Sequence, residues 1–257
     1  MELVEADLLD ASSLLSAISG SSFVIHVASP FVIEEPRDPM VLIRPAVDGT
    51  LAVLEACKQA GVRRVCVTSS CAAIVEVLPE DEPDVFDESH WSNPDKPTIS
   101  AYEKSKTLAE RAAWDFVENL PEGQKIELTV INPAFVVGPT LIKGDFSSGK
   151  VINMFMNNNL PGGVPQISFG TVDVREVAMA HLQCIKRDEA QGKRFILSGR
   201  PAWFREIGEI LQGHFGPMGY NIPTAEAKYC LVKFVGFFRS DAAKIAAYWG
   251  REMKVNN

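Results

Sequence analysis

The chain has 257 residues, 46% of them hydrophobic, enough to bury roughly three quarters of the unfolded surface in one domain, or one domain with a small lobe. Its formal net charge is −8, from 25 Lys and Arg against 33 Asp and Glu, and no basic block or basic helix face stands out, which argues against nucleic acid as a partner. The five cysteines, Cys57, Cys66, Cys71, Cys184 and Cys230, form no CxxC pair, a pattern that fits reduced thiols in a cytoplasmic protein.

The opening "MELVEADLLD" predicts a short strand from Met1 to Val4, then a helix capped by Asp10. "SFVIHVAS" is a continuous apolar run that predicts a buried strand. "VLIRPAVDGTLAVLEACKQAG" predicts a helix closed at Gly61, and "VRRVCVTSS" the next strand. Residues 76–97 are a Pro- and acid-rich loop. "SAYEKSKTLAERAAWDFVENL" predicts a helix and "IELTVINPAFVVGP" a strand leaving into a loop. "VDVREVAMAHLQCIK" predicts a helix, "RFILSG" a strand, and the remainder mostly helix. The longest apolar stretch, "YCLVKFVGFF", carries Lys233 and is too short to span a bilayer, so it predicts a lobe helix.

Unbroken apolar strands alternating with helices predict a doubly wound parallel α/β sheet covered on both faces. Residues 1–140 form its dinucleotide-binding part. Residues 141–257 form a small, mostly helical substrate lobe interleaved with the last sheet elements. Ligands of such sheets sit beyond the carboxyl ends of the strands. The residues to watch are therefore Asp7-Leu8, Val27-Ala28-Ser29, Thr68-Ser69-Ser70 and Asn132-Pro133-Ala134.

Tyr102 and Lys106 lie four apart on a predicted helix and share a face. Ser100-x-x-Glu103 is a capping box that starts this helix just before Tyr102. An ammonium beside a phenol favours the phenolate, so Lys106 is expected to lower the Tyr102 pKa. Ser70, at a strand tip, can donate to the same substrate oxygen, and the three groups suit proton delivery to a carbonyl. A second Y-x-x-x-K, Tyr229 to Lys233, has no serine-tipped strand before it and reads as structural. "GHFGPMG" (Gly213, Gly216, Gly219) has the spacing of a phosphate loop, but no strand feeds it, so it reads as a helix stop. His26 reads as a core histidine. His90, His181 and His214 show no metal-ligand spacing, and no metal is expected. Asp173 reads as a helix cap, and Cys71 as small buried packing.

The ordered blocks "ADLLD", "FVIHVASP", "RPAVDGTLAVLEAC", "RRVCVTSSCAAI", "FDESHWS", "AYEKSKTLAERAAW", "INPAFVVGP" and "VDVREVAMAHL" resemble the dihydroflavonol 4-reductase-like branch of the extended short-chain dehydrogenases/reductases, within the epimerase/dehydratase superfamily. The resemblance covers nearly the whole chain. It implies an oxidoreductase acting on CH–OH groups, a carbonyl reductase or alcohol dehydrogenase using NADP(H), with NAD(H) as the other candidate, and a small-molecule carbonyl or alcohol as partner. By resemblance, Ser70 orients the carbonyl, Tyr102 is the acid, and Lys106 holds the nicotinamide ribose. Asp7 and Leu8 match the pair beside the adenine, and Val27, Ala28 and Ser29 match the strand end at the adenine ribose. Pro133 and Val136 match the loop against the nicotinamide, and Ser148 matches a phosphate contact.

The family's glycine-rich strand–turn–helix has no counterpart here. The expectation is a sheet lacking its first strands, an N-terminally truncated chain, and weak NADPH binding. Two other readings stay open: a sugar-nucleotide or steroid epimerase, dehydratase or isomerase, and a non-catalytic binding protein that has lost the cofactor site.

Overall fold

The computed structural model describes residues 2–30, 36–141, 147–160, 162–237 and 240–256. The elements of the first half are α1 (Ala11–Ile18), β1 (Phe23–His26), α2 (Met40–Ala60), β2 (Arg64–Thr68), α3 (Ala101–Glu118), β3 (Glu127–Pro133) and β4 (Phe135–Val137). Those of the second are α4 (Ser147–Met156), β5 (Ser168–Asp173), α5 (Val174–Lys186), β6 (Lys193–Leu197), β7 (Pro201–Trp203), α6 (Phe204–Phe215), α7 (Tyr229–Gly236) and α8 (Ser240–Ala247).

Four strands form a parallel sheet in the order β1-β2-β3-β6. Its two faces differ in what covers them. Val65, Val67, Leu128 and Val130 point into a core shared with Leu14 and Ile18 of α1 and with Val53, Leu54 and Cys57 of α2. Cys66 and Ile131 point to the other face, against Val177 and Cys184 of α5. This two-faced covering is why the strands read as continuous apolar runs rather than alternating ones.

Local signals set the helix boundaries. The Asp10 carboxylate accepts from the amides of Ser12 and Ser13 and starts α1. Gly61 takes a left-handed φ of 69° and ends α2, while the Val62 amide donates back to the Cys57 carbonyl. At the far end of the sheet, Arg64 is 1% exposed. It donates to Glu127, Asp188 and the carbonyls of Ile185 and Arg187, which ties β2, β3 and the end of α5 together.

Three expectations need correction. Met1 lies outside the described residues, and 2–6 form no strand; Leu3 is 88% exposed. An extended segment becomes a strand only when a neighbour supplies its hydrogen-bond ladder, and none does so among the described residues. The "INPAFVVGP" run is two strands: β4 leaves the main sheet and pairs with β5, which pairs antiparallel with β7. "VDVREVA" is a strand end before it is a helix, with Asp173 closing β5 and capping α5 through the Arg175 amide.

β1 is the outer strand of the described sheet. Val24 packs into the α1–α2 core, whereas Phe23 and Ile25, in register with Arg64 and Cys66, remain 41% and 37% exposed. The C-terminal segment pairs with the loop between β2 and α3. Asn256 donates its amide to the Phe86 carbonyl, and the Phe86 amide donates to the Lys254 carbonyl.

Candidate active site

Ser70 follows the end of β2 in extended backbone and caps the short 3-10 turn Cys71–Ala73, its hydroxyl accepting from the Ala72 amide at 3.2 Å. The capping box of α3 forms as the sequence predicts: Ser100 accepts from the Glu103 amide, and the Glu103 carboxylate accepts from the Ser100 amide. It fixes the helix start so that Tyr102 stands in the first turn. There the Tyr102 phenol stands beside the Ser70 hydroxyl. Lys106 is one turn further on, its ammonium 6.0 Å from the Tyr102 ring centre. The structure thus brings Ser70, Tyr102 and Lys106 together.

The electrostatics differ from expectation at Tyr102. Burial raises its pKa, opposed by the neighbouring Ser70 hydroxyl, and the Lys106 charge does not bring it down. The phenol is held protonated, the form a proton donor needs. Lys106 is half-buried, and its desolvation lowers its pKa to about 8, with the Glu110 carboxylate opposing the fall. His26, at the tip of β1, is buried and neutral: burial, aided by the Lys106 charge, lowers its pKa to about 4.

The second Y-x-x-x-K shows what does not define a site. Lys233 stands 5.9 Å from the ring centre of Tyr229, nearly the geometry of the first pair, but Tyr229 is 44% exposed on α7. Burial and the serine separate the two pairs, not spacing. "GHFGPMG" is the end of α6 and a 3-10 turn, with Gly219 in the left-handed region.

Asp7, Leu8, Ala28 and Ser29 line one cleft of about 820 Å³, with Asp10, Pro30 and Pro45. None of the triad lines it. Val27 is exposed beyond β1 and is not among the lining residues. Pro133 is buried at the end of β3, and Val136 packs on the core beneath β4. Ser148 is half-buried near the start of α4, which packs against β4.

The two ends of this arrangement have chemistry a dinucleotide could use: an open cleft at one, and at the other a half-buried ammonium able to donate to a hydroxyl. The middle is unsupported by the described residues. The nearest helix N-terminus on the cleft, that of α1, already has its amides taken by the Asp10 carboxylate, whose charge opposes a pyrophosphate.

Behind the triad lies a group that sequence reasoning missed. Glu110 is 1% exposed. It accepts from Asn132 Nδ2 at 2.7 Å and from Arg194 Nε at 2.6 Å. The same Asn132 nitrogen donates to the Ser70 carbonyl at 3.1 Å. Arg194 stacks on Trp91 at 3.8 Å and donates to the carbonyls of Glu88 and His90. The signal was available: Glu110 follows Lys106 by the four residues that separate Lys106 from Tyr102.

A doubly wound parallel sheet with a Ser-Tyr-Lys group at the strand tips defines a nucleotide-linked dehydrogenase or epimerase fold. The family model of the NAD dependent epimerase/dehydratase family matches residues 1–197, and the chain belongs to that family. It is 33% identical over 218 residues to the NADPH-dependent methylglyoxal reductase GRE2 of Saccharomyces cerevisiae, covering 79% of this chain and 64% of that protein. To cinnamoyl-CoA reductase 1 of Petunia hybrida it is 36% identical over 226 residues, covering 87% of this chain and 64% of that one. The crystal structure of yeast methylglyoxal/isovaleraldehyde reductase Gre2 complexed with NADPH superposes with a TM-score of 0.78 at 28% identity, over 100% of this chain and 76% of the other. The chain therefore spans a little under two thirds of the length of these two curated relatives.

Proposed function

We propose that the chain serves an NADP(H)-dependent reduction of small-molecule aldehydes or ketones. The observation that carries this reading is the Tyr102 phenol set beside the Ser70 hydroxyl, with Lys106 half-buried one turn away. Reductases named for NADPH and for carbonyl substrates among its relatives support it.

A bound nicotinamide would supply the hydride to the carbonyl carbon. The protein's own groups manage the oxygen. A carbonyl oxygen seated between the Ser70 and Tyr102 hydroxyls accepts a hydrogen bond from each, which favours the negative charge that develops there. The phenolic proton of Tyr102 then passes to that oxygen, so C=O becomes CH–OH and Tyr102 is left as a phenolate. Lys106, charged below its pKa of about 8, stands one helical turn from Tyr102, where its ammonium donors suit a ribose hydroxyl. Asp7, Leu8, Ala28 and Ser29 are the residues that would hold the adenosine end.

The test is consumption of NADPH by the purified chain with methylglyoxal and with aromatic aldehydes. Aldehyde-dependent consumption supports the reading. Aldehyde-independent binding alone points instead to a non-catalytic role, and turnover of a sugar nucleotide without net cofactor consumption points to an epimerase.

A further inference from the structure

Lys106 is a half-buried cation that makes no ion pair among the described residues. The charged and titratable groups around it are few. On its own helix they are Tyr102 and Glu110; from β1 comes His26; beside Tyr102 stand Cys71 and Glu103; and Arg194 of β6 lies behind Glu110. His26 is neutral at physiological pH and offers no counter-charge. Among the described residues, the one anion bearing on the Lys106 ammonium is the Glu110 carboxylate.

That carboxylate is not free to swing toward the lysine. Asn132 Nδ2 holds Oε2, and Arg194 Nε holds Oε1. The amide orientation of Asn132 follows from its neighbours: a carboxylate and the Ser70 carbonyl both accept, so the nitrogen must face them. Arg194 is in turn fixed by Trp91 and two carbonyls. A carboxylate one helical turn from an ammonium would ordinarily close a direct i,i+4 pair. Here it acts through the low-dielectric interior without occupying any N–H of Lys106.

We propose that Glu110, pinned by Asn132 and Arg194, is a positioning residue that keeps Lys106 charged while leaving its ammonium protons available for a ligand. The same Asn132 amide anchors the Ser70 carbonyl, so one buried assembly sets both the serine tip and the lysine charge. Its catalytic consequence rests on the reductase reading above; its electrostatic content does not.

The experiment is an NMR titration of the chain labelled with 13C at lysine Cε, the Lys106 signal being identified by its loss in Lys106→Arg. In the unaltered chain the midpoint lies near 8. In Glu110→Gln it falls by about one unit or more, because removing an opposite charge disfavours the charged form; in Glu110→Asp it falls less. Should Glu110→Gln not fold, the double variant Glu110→Gln/Arg194→Gln leaves neither buried charge unpaired, and the midpoint falls there too. An unmoved midpoint in a folded variant overturns the proposal. A shifted midpoint in a chain that reduces no carbonyl supports the positioning role and overturns only the reductase reading.

Discussion

The Ser70 hydroxyl and the Tyr102 phenol stand side by side although 32 residues separate them, one at the tip of β2 and the other in the first turn of α3. Two capping devices make the meeting reproducible: Ser70 caps its own 3-10 turn, and the Ser100–Glu103 box starts the helix. Ser70→Ala removes one donor to a developing oxyanion and should lower turnover by about 10²–10³. Tyr229→Phe should leave turnover unchanged. Steady-state kinetics on both variants checks this, and a loss at Tyr229 like that at Ser70 contradicts the assignment.

Lys106 carries a folded-state pKa near 8 against 10.5 unperturbed. Between these values the unfolded chain binds more protons, so stability should rise as pH increases from about 8 to 10.5. Below that window the desolvated charge costs about 3 kcal/mol. Lys106→Met should therefore raise the urea midpoint at neutral pH while weakening ligand binding and turnover. A variant that is less stable at pH 7 would show that the charge is compensated more fully than this account holds.

His26 behaves with the opposite practical outcome. Its folded pKa, near 4 against 6.5, means that stability is complete above about 6.5 and is lost as pH falls toward 4, by about 3 kcal/mol. Because the Lys106 charge contributes to the depression, Lys106→Met should raise the His26 midpoint. Imidazole NMR titration of the two chains measures it, and an unchanged midpoint contradicts the placement of the two groups.

Arg64 should be the costliest single charge to remove. It is buried, and its guanidinium satisfies two carboxylates and carbonyls at the end of α5. Arg64→Ala strands those acceptors and should destabilise the chain by about 3–5 kcal/mol. Urea denaturation at pH 7 is the measurement. A cost no larger than that of a surface ion pair would mean that water reaches the site.

The sequence discloses the parallel sheet because burial on both faces leaves long apolar runs, and it discloses α1, α2 and α3 because Asp10, Gly61 and the Ser100–Glu103 box are local signals. It does not disclose the second sheet. β4 is three residues set off from β3 by Ala134 alone, and β5 runs without a break into α5, so neither has punctuation. The triad is legible from spacing plus a strand tip. The direction of the Tyr102 pKa is not: the lysine is visible in the sequence, but the burial that outweighs it arises from packing. Glu110, Asn132 and Arg194 come from three separate elements, and only the fold joins them.

The central claim is that Tyr102 delivers the proton to a carbonyl that receives hydride from a nicotinamide. The most direct test supplies millimolar NADPH deuterated at the transferable position, so that weak cofactor binding does not conceal turnover, and detects label in the product alcohol by mass spectrometry. With methylglyoxal or an aromatic aldehyde, the chain should yield deuterated alcohol, and Tyr102→Phe should yield about 10²–10⁴ times less. Unlabelled product throughout, or equal labelling by a folded Tyr102→Phe variant, would contradict the account.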